Sequence, residues 1–424
     1  MVQTAGATWD FRTTDNTNGN ALYVLDGSIA SSGSANSTRN LNAGSGWDGT
    51  SYASTRASAP FSILYPIYDT IQQFAAADPD VAFPALEFRW SANNRPASGD
   101  LTTGDIGTSF YNGEAVYILG AADNDTDEFD HHIIVHEWGH YFENKLSRSD
   151  SIGGPHGSGD VLDPRVAMGE GFGNALSGIS LNDPIYRDTS GAGQASGFSF
   201  NLESNVAANP GWYNEGSVQS VLYDLFDAAD DGADTISLGI GPIYNAFVSQ
   251  DYRNTPFYTT IFAYLHRIET DNASSASAIR AIATERGING TGPDGAGETA
   301  DAGAGLVLPV YNPLTVGTPI EICSVDDFGT FNKLGVHRYL SFDAPSAGAY
   351  TFTMTRTSGD TTRDPDFGIS LRGQTVAAGE SGVVDTETLT ATLEAGLHVI
   401  DAYDALNLDG STMGDACFSF AVTQ

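Results

Sequence analysis

The residues of this chain whose types and spacing point most directly to chemistry are two histidines with a glutamate between them, His136-Glu137-Trp138-Gly139-His140. On a helix, residues four apart lie on one face, so both imidazoles project together as two nitrogen ligands for one tetrahedral zinc. Glu137 stands one step round from His136, where its carboxylate reaches the water that such an ion activates rather than the ion itself, the position of a general base. The motif is short, and an ordinary core helix with surface histidines is the plain alternative. A third ligand decides between them.

His132 falls one turn before His136 on the same face, but three ligands from one straight helix surround a tetrahedral ion poorly, so His132 reads as structural. The metzincin pattern would need glycine at 143 and histidine at 146, where the chain has Glu143 and Leu146, and that class is excluded. A glutamate is therefore sought downstream. Met168-Gly169-Glu170-Gly171-Phe172-Gly173-Asn174 places Glu170 near the start of the next expected helix, between glycines that permit close backbone approach. Asn174 shares the face of Glu170, so its amide can hold a ligand histidine in place.

An H-E-x-x-H helix followed after about thirty residues by a G-E-G segment resembles the gluzincin peptidases, and most of all the fungalysin branch. The resemblance covers roughly residues 100 to 230. It implies a zincin-like α+β catalytic domain, zinc held by His136, His140 and Glu170, Glu137 as base, and endopeptidase activity on a protein or peptide substrate. It also makes Asn112-Gly113-Glu114-Ala115 part of the edge strand that pairs with substrate, with Asn112 and Ala115 as contacts. Two departures stand out. The family has an aspartate where this chain has Asn174, so an amide replaces a charge beside the histidine. It also has a histidine before the helix beginning near Ser217, where this chain reads Trp212-Tyr213-Asn214-Glu215-Gly216. Tyr213 is then the first candidate for the donor that stabilises the transition state, and His156 the second.

The elements that must position these residues follow from periodicity. Apolar residues recur at helical spacing from Pro60 to Phe74, and strand-like alternation follows at Leu86-Phe88-Trp90 and from Ser109 to Leu119. A burst of acids, Asp123 to Asp130, precedes the helix His131 to Leu146. Further helices are expected at Val166 to Ile179, Ser217 to Ala229, Phe257 to Ile268 and Ser275 to Arg286. A glycine-rich stretch, Gly287 to Gly305, reads as a linker. Beyond it, short alternating runs such as Tyr350-Phe352-Met354, Phe367-Ile369-Leu371, Leu389-Ala391-Leu393 and Phe418-Phe420-Val422 indicate an antiparallel β-sandwich. The expected domains are thus 1–314, catalytic, and 315–424, a sandwich similar to the bacterial pre-peptidase C-terminal domain.

Composition bounds the partners. A formal charge of −35 on 424 residues, with lysine only at Lys145 and Lys333, argues against nucleic acid or an anionic membrane surface. No apolar run is long enough to span a bilayer. Cys323 and Cys417, the two cysteines, are placed to tie the first and last strands of the sandwich by a disulfide, which favours an oxidising, extracellular compartment. The start, Met1-Val2-Gln3-Thr4, has no signal-peptide pattern, so secretion is an inference. Calcium is a candidate second ion at Asp123, Asp125 and Asp127 or at Asp230-Asp231-Gly232-Ala233-Asp234, against a slightly favoured reading of solvated acidic loops. His131, His266, His337 and His398 read as structural. The rival functions are a zinc hydrolase of a non-peptide amide and an inactive, peptidase-like binding or adhesion protein.

Overall fold

The computed structural model describes the chain apart from residues 1, 28–30, 32, 33, 35, 37, 39, 205–207, 229–231, 303–305, 412 and 413. Asp230 and Asp231 of the second proposed calcium loop, and Ala229 at the end of one expected helix, lie outside the described residues. Helix and strand are mixed, 28% and 30% of the chain, as the α+β expectation requires. The chain forms two compact units, Met1–Leu146 with Gly173–Glu203, and Ser147–Phe172 with Ser204–Gln424. The boundary expected at residue 314 falls inside the second unit.

The first unit begins with strands β1 (Gln3–Ala5), β2 (Asp10–Asp15) and β3 (Ala21–Leu22), then helix α1 (Ala59–Ala77), β4 (Leu86–Trp90), β5 (Phe110–Tyr111) and β6 (Ala115–Ile118). The sheet runs β1-β2-β4-β6-β5, with β3 beside β2; β2, β4 and β6 are parallel and β5 lies antiparallel at the edge. Ser109 to Leu119 is therefore a hairpin and not one strand. The Asn112 side chain accepts the backbone N–H of Glu114 and Ala115 at 3.0 and 2.9 Å, and Gly113 takes φ +92°, a left-handed turn conformation that suits glycine.

Helix α2 (His131–Leu146) buries Ile134, Trp138, Tyr141 and Phe142 completely, the face opposite to His136 and His140. Trp138 packs on Phe74 and Phe83, with ring centroids 5.5 and 5.8 Å apart, and Tyr141 meets Phe11 edge to face at 5.7 Å. Large aromatic contacts of this kind fix α2 in rotation about its axis, and so aim the two histidines. Of the acids before α2, Asp123 is exposed and Asp125 half-buried, as a solvated loop would have them, but Asp127 is 3% exposed and Glu128 0%. Glu128 pairs with buried Arg56 and accepts Trp90 Nε1–H at 3.2 Å, while Asp130 accepts the N–H of Thr189 at 2.9 Å and its hydroxyl at 2.8 Å.

Helix α3 (Pro164–Leu181) passes from the second unit into the first after Phe172, and the first unit closes with the hairpin β7 (Ile185–Ser190) and β8 (Ser196–Asn201). The second unit supplies α4 (Glu215–Asp224), α5 (Ile240–Val248), α6 (Gln250–Arg253), α7 (Ile261–Asp271) and α8 (Ala276–Glu285), then β9 (Thr299–Asp301) and β10 (Val307–Pro309). Its sandwich has one sheet of β11 (Asn312–Leu314), β13 (His337–Ala344), β18 (Gly396–Asp404), β15 (Pro365–Leu371) and β16 (Gln374–Gly379), in that order. The other runs β12 (Ile320–Ser324), β19 (Ala416–Thr423), β14 (Gly348–Ser358) and β17 (Thr386–Leu393). Phe342, Phe352, Phe367, Ile400, Phe418 and Phe420 fill its interior. Cys323 and Cys417 stand directly opposite in the β12–β19 pair and are bonded.

A buried polar cluster ties the start of α3 to the sandwich within this unit. Asp163 accepts Arg165 N–H at 2.9 Å, as a helix cap does, and also takes the Tyr339 hydroxyl. Arg165 reaches Asp401 of β18 at 3.0 Å, and His337 of β13 reaches the same carboxylate at 2.8 Å. Burial pushes Asp401 upward, but His337 and Arg165 beside it hold its carboxyl below the usual range. The cluster therefore fixes where α3, and with it Glu170, begins.

Candidate active site

In the first unit, His136 Nε2 and His140 Nε2 face each other 3.1 Å apart. Two ligands on one tetrahedral zinc at the usual bond length would be separated by about 3.3 Å, so the pair fits that ion without rearrangement. Glu137 belongs to the same group of converging ligand atoms. His136 Nδ1 lies 2.9 Å from Asn174 Oδ1, and an N–H donated to that acceptor leaves the Nε2 lone pair for a metal. Gly173 explains how α3 comes so near: a β-carbon there would sit 2.8 Å from His136 Nδ1.

Glu137 is held as well as placed. Its carboxylate accepts the backbone N–H of Tyr111 at 2.9 Å, so the edge strand β5 turns a main-chain donor toward the base. Nothing in the sequence pointed to Tyr111. Ala115, by contrast, is buried in β6 between β4 and β5, and the Asn112 side chain serves the turn. Neither side chain therefore lies along the outer edge of the sheet, which is formed by Phe110–Tyr111.

In the second unit, Glu170 lies 3.2 Å from His156 Nε2, and the other nitrogen of that imidazole, Nδ1, lies 2.8 Å from Glu215. His156 thus sits between two buried carboxylates while remaining partly exposed itself. Gly171 gives α4 its approach, since a β-carbon would meet Val218 Cβ at 2.6 Å and the Glu215 carbonyl at 2.9 Å. Tyr213 does not join this group. Its hydroxyl turns back to the Pro210 carbonyl at 3.5 Å, and burial, with Glu298 nearby, raises its pKa. Of the two candidate donors, His156 is the one placed beside Glu170. Glu215 was missed because sequence showed only an acid in the first turn of a helix after Asn214, the common dipole arrangement.

His132 bonds Ser177 Oγ at 2.9 Å, and burial lowers its pKa to about 4, as suits a neutral structural imidazole. A second acidic group lies apart from the histidines in the first unit: one carboxylate oxygen each from Asp125, Asp127 and Asp188 lies within 4.8 Å of the others. Burial, then Asp125 and Asp130, push Asp188 up to about 7, and burial and Asp125 raise Asp127 well above its usual value. Asp123 stands outside this group, accepting Gly193 N–H at 3.1 Å.

Comparison with known proteins bears on this geometry. No curated protein matches the chain. Among solved structures, the pre-peptidase C-terminal domain of a collagenase from Bacillus anthracis is 12% identical over 27% of this chain and 94% of that one, with a TM-score of 0.21. A periplasmic inhibitor of g-type lysozyme from Aeromonas hydrophila is 12% identical over the same shares, with a TM-score of 0.19. Neither score supports an argument. The model of the mycolysin C-terminal domain matches residues 74–285, half of the chain, from α1 to α8 and across His136, His140 and Glu170. The chain belongs to the family of the mycolysin C-terminal domain, a domain of peptidases.

Proposed function

We propose that the chain is a secreted zinc endopeptidase of the gluzincin type, with His136, His140 and Glu170 as ligands and Glu137 as general base. The observation that carries this reading is the 3.1 Å approach of the two Nε2 atoms, with the Nδ1 of His136 already engaged by Asn174. Glu170 lies one turn before Asn174 on α3, the spacing at which side chains share a helix face. When bound, zinc supplies Lewis acidity to a carbonyl oxygen and acidifies water.

The remaining chemistry belongs to the chain. Glu137, oriented by Tyr111 N–H, takes a proton from the attacking water and returns it to the leaving amine. An extended peptide runs alongside β5, the strand at the sheet edge, next to that base. His156, kept in position by Glu215, donates a hydrogen bond to the developing oxyanion. Membership of a peptidase family favours a peptide over another amide as substrate. The cross-strand disulfide supports export to an oxidising compartment, and no described helix is long and apolar enough to cross a membrane.

Elemental analysis combined with cleavage of a peptide library tests the proposal. One zinc per chain is expected, with activity lost to a zinc chelator and restored by added zinc. Protein that carries no zinc, takes none up and cleaves no peptide would leave the binding-protein reading in its place.

A further inference from the structure

We propose that Asp125, Asp127 and Asp188 form a calcium site that fastens the approach to α2 onto the β7–β8 hairpin. The three carboxylates converge within 4.8 Å, and Oδ1 of each is buried without a hydrogen-bond partner. Asp127 is 3% exposed; its Oδ2 takes the Ser109 hydroxyl, which leaves Oδ1 unmatched. Among the described residues no arginine, lysine or histidine pairs with any of the three. Three carboxylates at this spacing, Asp127 buried and Asp125 and Asp188 half-buried, repel one another as charges, and unpaired buried carboxylate oxygens are costly, so the arrangement calls for a cation.

The donor set selects the kind of cation. It is oxygen only, with no imidazole or thiolate, which suits a hard divalent ion. Calcium, which accepts about six to eight oxygens in loose geometry and completes its shell with water and carbonyls, suits it better than the strictly octahedral magnesium. Asp188 contributes from β7, some sixty residues beyond the loop that holds the other two, so no contiguous motif announces the site. The same two segments are already joined by the Asp125–Ser190 bridge and by Asp130 with Thr189. A bound ion would lock the turn that leads directly into His131, the first residue of α2. This inference does not rest on the zinc reading.

Calorimetric titration of calcium into the full chain, in calcium-free buffer containing trace zinc, tests it. One saturable event with Kd of about 10⁻⁵ to 10⁻³ M is expected, with a melting midpoint that rises with calcium and not with sodium of equal ionic strength. Asp188→Asn should abolish both responses, yet melt no lower than the parent in calcium-free buffer, because it removes a repelling charge. If that variant does not fold, Asp125→Asn serves the same comparison. Absence of both responses in the parent chain overturns the site, as does an Asp188→Asn protein that responds to calcium like the parent.

Discussion

Gly173 stands against the imidazole of His136 so closely that a β-carbon on it would lie 2.8 Å from Nδ1. Close helix packing and ligand orientation are thus one feature. Gly173→Ala should push the imidazole away from Asn174 and lower metal affinity by about 10- to 100-fold, the range seen when a ligand's supporting partner is lost. Zinc-competition titration measures it. An unchanged zinc affinity, with folding verified by circular dichroism, would contradict the orienting role.

His156 and Tyr213 are separated by their neighbours: the imidazole touches Glu170 and Glu215, whereas the phenol touches Pro210. His156→Gln should lower kcat by roughly 100-fold, the effect of removing one oxyanion donor, while Tyr213→Phe stays near the parent. Steady-state kinetics on one peptide substrate decides. The reverse order would restore Tyr213 as the donor.

His132 makes a prediction about acid stability. Buried against Ser177 and Tyr186, with Asp183, Arg187 and His131 as its charged surroundings, it has a pKa near 4 when folded. The unfolded chain's imidazole takes a proton near pH 6.5 and the folded one does not, so stability falls as pH drops from about 6.5 to about 4. The loss is at most about 3 kcal/mol. Urea unfolding between pH 7 and 4 should show a shallower decline for His132→Gln. Parallel declines would assign the acid sensitivity elsewhere.

The disulfide closes a loop of 94 residues across paired strands. Denatured, unreduced protein should show no free thiol, and replacing both cysteines by serine should cost about 2 to 5 kcal/mol in urea unfolding. Two titratable thiols would remove this support for export.

What could be read from sequence was whatever depends on local periodicity. α1, α2, α3, α7 and α8 and the strands around Phe352, Phe367, Leu389 and Phe420 all lie within a few residues of their expected positions, because their apolar repeats are long enough to register. The convergence of His136, Glu137 and His140 was legible because all three stand within five residues of one helix. Contacts made by residues far apart were not. Tyr111 acts through its main-chain N–H, which no side-chain pattern records; Asp188 joins its group from another strand; and Glu215 looked like an ordinary first-turn acid. The β7–β8 hairpin was missed because Arg187, Asp188, Thr189 and Ser190 dilute its alternation. The reading of a solvated acidic loop departs from the structure at Asp127 for a related reason, since burial of Asp127 and Glu128 depends on Ser109, Arg56 and Trp90.

Glu137 is proposed to transfer protons and Glu170 to bind the metal, and paired zinc and activity measurements on two variants separate these roles. Glu137→Gln keeps size and shape but removes the base, so peptidase activity should fall by at least ~100-fold with zinc still bound. Glu170→Ala deletes a ligand and should lose zinc and activity together. A Glu170→Ala protein with full zinc and near-normal peptidase activity would contradict the account and send the search for the third ligand to His132 or Glu143.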